Sequence, residues 1–251
     1  MAFYKSKNPA LGSSLFEKSI QSRSADDGVM TLESTVNKCI FLGLVVFGFA
    51  LITWYLAFNP AYQSMSTILM GVGGIGGFIV ALIIIFKKRL ATYMATVYAA
   101  LEGLFLGAIS AYFEMAYQGI VAQAIILTMG VLFSLLALYK FRIIKVTENF
   151  KMIVVAATGG IALIYLLSFI GGFFGLNMPF IHEGGTFGIV FSIVVVIVAA
   201  LNLVMDFDFI EEGSEKGAPK YMEWYAAFGL MVTLIWLYLE ILRLLSKLRR
   251  D

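Results

Sequence analysis

Glu102 stands in the run AALEGLFLGAIS, with no other charged residue between Arg89 and Glu114. In a bilayer, an ionised and unpaired carboxylate at such a place costs about 2.5 to 3.5 kcal/mol or more. It must therefore be protonated, hydrated in a cavity, or neutralised by a bound cation. Two uses follow: a neutral acid that hydrogen-bonds to Tyr98 one turn earlier, or an intramembrane proton or cation relay. The second acidic feature is VMDFDFIEEG, Val204 to Gly213, in which nineteen uncharged residues from Phe187 onward run into Asp206, Asp208, Glu211 and Glu212. Negative charge is disfavoured at a helix C-terminus, whose free carbonyls are already partly negative. Basic residues or a cation must offset it. Asp206 is the deepest of the four and shares a helix face with Asn202. Oxygen-rich groups on one face suit a hard cation or a shared proton, so Asp206 and Glu102 are the candidate metal-binding carboxylates. Glu211 and Glu212 read as a solvated helix end.

Two more acids, Glu223 and Glu240, belong to the last apolar run. They are seventeen positions apart, about 25 Å along a helix, too far to serve one compact site. Glu223 returns to the layer of Asp206. Glu240 has Arg243 three residues on, the spacing of a local ion pair. Other motifs carry little. GVGGIG, Gly71 to Gly76, fits a dinucleotide-binding pattern letter for letter, but it lies inside an apolar run with no preceding strand. Its use is packing: Gly73 and Gly77 form a small-xxx-small pair that lets another helix approach closely. The lone His182, in NMPFIHEGG, has no nucleophile placed beside it by sequence. Intramembrane aspartyl protease chemistry needs two acids in one layer and a glycine-rich context that Asp206 lacks. No enzyme activity is expected.

The elements that must position these acids are membrane spans. Of 251 residues, 61% are hydrophobic and 14% charged, against about half and a quarter in soluble domains, and the mean hydropathy is +0.91. One cysteine, Cys39, excludes an internal disulfide, and one histidine excludes a histidine-rich metal site. No cleavable signal is expected, because the first long apolar run follows 38 mixed residues. Seven runs are long enough to span as helices: Cys39 to Phe58, Met65 to Phe86, Leu90 to Phe113, Ile120 to Tyr139, Met152 to Gly175, Phe187 to Met205 and Tyr221 to Leu245. The fold expected is an all-α seven-transmembrane-helix bundle over residues 31–251. Residues 1–30 should form a polar, mobile cytosolic tail, with a helix start at Thr31 or Ser34.

Lysine and arginine fall in the tail (Lys5, Lys7, Lys18, Arg23), at Lys38, at Lys87 to Arg89, between Lys140 and Lys151, and at Lys216 and Lys220. The three alternate connections have none. This asymmetry puts the N-terminus in the cytosol. Full crossing by the seventh run then leaves Arg243, Lys247, Arg249 and Arg250 outside, against the same rule. Crossing is still expected, because Trp224 to Leu239 is an unbroken uncharged run of 16 residues.

The seven-span plan, LEGLFLG in the third run, MDF closing the sixth and LYLEILRLLSKL in the last together resemble the transmembrane Bax inhibitor motif family (Bax inhibitor-1-like), especially its bacterial members with a longer polar tail. The resemblance covers roughly residues 35–248. It implies a protein of the bacterial cytoplasmic membrane that leaks calcium, or exchanges cations for protons, in a pH-dependent way. The gate it implies is an acidic pair with a basic residue nearby. Asp206 matches the first acid. The second is Glu240 by the LYLE match, whereas a gap-free count from the loop lands on Met231 and leaves Glu223 closer in depth. Lys87 falls about where the family has its gate arginine. No cofactor is implied beyond weakly bound Ca2+. The expected partners are membrane lipid and calcium or protons. The alternative reading is a membrane interaction protein that regulates a membrane protease or another membrane protein; nucleic acid is not an expected partner.

Overall fold

A computed structural model describes residues 28–174 and 185–249. Most of the expected tail, His182 and Arg250 lie outside the described residues. Seven long helices follow one another: α1 (Leu32–Phe58), α2 (Gln63–Phe86), α3 (Ala91–Ala116), α4 (Ile120–Lys140), α5 (Glu148–Phe173), α6 (Thr186–Glu215) and α7 (Tyr221–Leu248), with a 3-10 turn at Lys88–Leu90 before α3. All seven are long and apolar enough to cross a membrane. The protein is an integral membrane protein built as an all-helical bundle. Helices satisfy their own backbone groups, which is what hydrocarbon requires.

Local chemistry sets the helix ends. Thr31 caps α1, its hydroxyl accepting from the Ser34 amide at 3.2 Å, and Thr147 caps α5 through the Phe150 amide at 3.2 Å. Before α4, Glu114 accepts from the amides of Gly119 (2.5 Å) and Val121 (3.1 Å), so this acid is spent on a helix start. The end of α6 is the informative one. The helix does not stop where the apolar run stops, at Met205, but continues through the acids to Glu215. Gly217, at φ 64, closes it. The Ala218 amide donates to the Gly213 carbonyl at 3.0 Å and the Gly217 amide to that of Ser214 at 3.2 Å, the paired bonds of a helix end whose left-handed residue is glycine. The four acids therefore sit within the helix rather than at its last carbonyls.

α7 is the hub, packed against α1, α3, α4 and α6, while α5 rests mainly on α6. Leu203, Val204 and Phe207 of α6 and Met222, Leu230 and Leu237 of α7 share one apolar core; Tyr98, Ala227 and Phe228 share another. Close approach has a clear cause. A side-chain carbon at Gly73 would lie 2.5 Å from the Leu101 carbonyl oxygen, so the glycine pair of α2 admits the α3 backbone. α7 is a single continuous helix of 28 residues, about 42 Å at 1.5 Å per residue. Its C-terminal end reaches the start of α6, where Lys247 donates to the Gly188 carbonyl (3.0 Å) and Ser192 (2.9 Å). Arg249 donates to the Gln118 carbonyl at 2.7 Å, beside the start of α4. The seventh helix thus runs from one end of the bundle to the other without a re-entrant break.

Candidate functional site

Gly28 to Lys38, the 3-10 turn, the connection between α4 and α5, and the loop between α6 and α7 gather at one end of the bundle, the lysine-rich end. There α6 carries its acids into a cavity of about 370 Å³ lined by Ala81 and Ile85 of α2, Lys151 of α5, Asp206, Asp208 and Glu212 of α6, and Tyr225, Gly229 and Thr233 of α7, among others. The acidic stretch faces two directions. On one side, Tyr139 donates to Glu211 and reaches Asp208 at 3.5 Å, and Arg142 reaches Glu211 at 2.7 Å. On the other, Lys151 lies 2.8 Å from Asp208 and 3.6 Å from Glu212, which Lys216 also holds. The basic cluster between Lys140 and Lys151 thus supplies the countercharge that the sequence demanded.

Asp206 stands apart from these pairs. Its carboxyl group lies against Gly229 and Thr233 of α7: a side-chain carbon at Gly229 would be 3.9 Å from Oδ1. The Thr233 hydroxyl, 3.3 Å from the Gly229 carbonyl, is the donor within its reach. Oδ2 is buried and has no hydrogen-bond partner among the described residues. Buried polar groups nearly always have one, which makes this oxygen an exception that calls for an explanation.

The structure brings neither candidate second acid to Asp206. Glu223 lies six residues before Gly229, about 9 Å along α7, and turns toward α1. It accepts from the Thr31 amide (3.0 Å), the Ser34 hydroxyl (2.9 Å) and the Lys38 ammonium. Glu240 lies seven residues beyond Thr233, about 10 Å. Its Oε1 accepts from Tyr165 (2.9 Å) and Arg243 (2.7 Å), the local ion pair expected from the spacing plus a partner from α5, and its Oε2 is buried without a partner among the described residues. Lys87 caps the end of α2, is exposed and makes no ion pair among the described residues. Asn202 donates to Thr158 at 2.8 Å and ties α6 to α5. Glu102 is half-buried and hydrogen-bonded to Tyr98, with its Oε1 2.7 Å from where a Gly77 side chain would begin. Among the described residues no three acids, histidines or cysteines converge to hold a metal ion.

Two residues at the cavity have little profile in the sequence. Thr233 is the one hydroxyl-bearing aliphatic residue in the uncharged run of α7, and that is its signal. Lys151 is one of four basic residues between Lys140 and Lys151, and nothing local separates it from the others.

The fold and these acids define an integral membrane protein of seven spans that holds carboxylates inside its helix bundle. The chain belongs to the Bax inhibitor 1-like family, whose model matches residues 8–250. The family is one of generally non-enzymatic membrane proteins. No curated protein is similar enough to the chain to count as a match.

Proposed function

We propose that this protein is a pH-sensitive leak pathway for cations, calcium foremost, or a cation/proton exchanger, and that Asp206 is the group whose protonation governs it. The observation that carries the reading is the buried, partnerless Oδ2 of Asp206 in a cavity that Asp208 and Glu212 also line. Carboxylates that outnumber the cations in a cleft raise the local concentration of positive ions, and here three acids face the single lysine of the lining. A proton on Asp206 removes the charge that would hold a cation there, so the two compete. Calcium takes six to eight oxygens; Asp206 and Thr233 supply few, and water completes the shell. Binding is then weak, as a leak needs. Gating rests on Asp206 with Thr233, and Glu102 beside Tyr98 is the next carboxylate for a proton or cation deeper in the bundle. The lysine-rich end faces the cytosol by the distribution of lysine and arginine, and the bacterial cytoplasmic membrane is the setting.

The test is calcium flux through the purified protein in liposomes between pH 5 and 8. Asp206→Asn cannot titrate. It will cut flux by about tenfold, the low end of the concentrating effect of a charged cleft, and flatten the pH profile. Wild-type flux and an unchanged profile in this variant would refute the proposal. Glu102→Gln will lower flux by a smaller factor, because Glu102 lies outside the cavity that holds the partnerless oxygen of Asp206; the same assay reads it.

A further inference from the structure

We propose that Lys151 is a tethered cation at the mouth of the acidic cavity, which a permeating divalent cation must displace, so that this lysine sets the calcium concentration the pathway needs. The inference rests on the cation-pathway reading of the cavity. Lys151 lies in the first turns of α5, and its side chain is only 14% exposed. Its ammonium is 2.8 Å from Asp208, 3.6 Å from Glu212 and 4.0 Å from Glu148. It therefore stands on Asp208 and Glu212, the first acid oxygens that a hard cation entering the cavity from this end would meet. Lys151, Asp208 and Glu212 line the same cavity as Asp206.

Position along α6 gives the order of encounter. Glu212 is six residues and Asp208 two residues beyond Asp206, about 9 Å and 3 Å nearer the lysine-rich end. A cation from that end meets the lysine-held carboxylates first and the partnerless oxygen of Asp206 afterwards. Lys88 lies over the ring of Tyr225, 5.2 Å from its centre, and two further cations hold acids of α6. Arg142 holds Glu211 and Lys216 holds Glu212, and neither cation lines the cavity.

Lysine suits this part. Its ammonium is a compact charge on a flexible stem, able to swing aside without disturbing the helices, whereas arginine grips carboxylates with a planar fork. A divalent cation brings twice the charge to the same oxygens and displaces the ammonium better than a monovalent one. The lysine thus favours divalent over monovalent entry.

The experiment measures initial calcium flux into liposomes across a range of calcium concentrations. In parallel, terbium is titrated in detergent, with its emission sensitised by tyrosine, since Tyr225 lines the cavity. Lys151→Gln will lower the half-saturating calcium and terbium concentrations by about tenfold, in line with removal of a like charge from a charged cleft. Lys151→Arg will raise them, because the fork holds Asp208 and Glu212 harder. Lys151→Gln combined with Asp208→Asn will return toward the wild-type value. Lys216→Gln, which also removes one positive charge, will shift little. Wild-type half-saturation in Lys151→Gln, with flux still lost in Asp206→Asn, overturns the role of Lys151 and leaves the pathway standing. A wild-type protein that carries no calcium overturns both. If Lys151→Gln does not fold, Lys151→Arg decides, and an unchanged value there defeats the inference.

Discussion

Replacing Gly107 by leucine will prevent the protein from assembling as a monodisperse species in detergent, and replacing it by alanine will destabilise it by about 3 kcal/mol, the upper range for overpacking. The reason lies in how closely α1 and α3 approach. A side-chain carbon on Gly107 would stand 2.0 Å from the Ala50 carbonyl oxygen and 2.2 Å from the Thr53 hydroxyl. One turn earlier, a carbon on Gly103 would stand 2.5 Å from the Val46 carbonyl oxygen. The obstacles are largely backbone, which cannot swing away like a side chain, so the whole of α1 must shift. Between helices in lipid, close packing rather than the hydrophobic effect holds the contact. α1 buries Leu42, Thr53 and Ala57, and a shift loosens all three. Gly43→Ala is the comparison, since a carbon there meets nothing within 4 Å; its melting temperature will match the wild type. Thermal unfolding in one detergent checks both, and a Gly107→Ala protein as stable as Gly43→Ala would show that α1 yields freely.

What the sequence could show depended on distance along the chain. Span number and order are plain from hydropathy, because lipid leaves helices as the one option for such runs. Local pairings were equally readable. Tyr98 with Glu102 and Glu240 with Arg243 are set by helix spacing alone, and the Thr31 start of α1 by capping chemistry. The far end of α6 was not readable from hydropathy, which falls at Asp206 while the helix runs on to Glu215. Its acids are tolerated because Tyr139, Arg142 and Lys151 reach them from elsewhere in the chain, 72 residues away for Tyr139 and 69 for Arg142. The partner of Asp206 depends on how α6 and α7 are registered, which no local pattern encodes. A gap-free count from the loop arrives at Met231, midway between the Gly229 and Thr233 that flank the carboxyl group, while the acids whose residue type drew attention lie a full turn or more to either side. Residue type pointed to Glu240 and Glu223, and depth to Glu223 as well; the structure puts Thr233 beside the carboxyl group instead. The resemblance in the LYLE motif is real, and in this chain Glu240 is held by Tyr165 and Arg243 instead of meeting Asp206.

Glu223→Ala will destabilise the protein by about 3 kcal/mol, the low end for removing one partner of a buried ion pair. Glu223 is fully buried although it is an acid in the first turn of a helix. It accepts from the Thr31 amide, Ser34 and Lys38, so one carboxylate ties the start of α1 to the start of α7. The chain just before α1 is pinned beside it: the Met30 amide donates to the Ala218 carbonyl at 2.7 Å, the Lys220 amide donates to the Gly28 carbonyl at 2.8 Å, and Met30 is buried. Loss of the carboxylate leaves the Lys38 ammonium, whose side chain is only 14% exposed, without its counter-ion and with the Ser34 hydroxyl (2.8 Å) and the Trp224 ring (5.4 Å) as its neutral partners. It leaves the Thr31 amide without its acceptor as well. Leaving a mostly buried charge without its counter-ion is the larger effect, because its desolvation is no longer offset by the carboxylate. Lys38→Met placed on Glu223→Ala should therefore recover part of the loss, and the double-mutant cycle measures the coupling. Chemical or thermal unfolding in detergent reads all four proteins. Strict additivity of the two substitutions would mean that the pair does not couple, and that Glu223 holds α1 through its neutral hydrogen bonds alone.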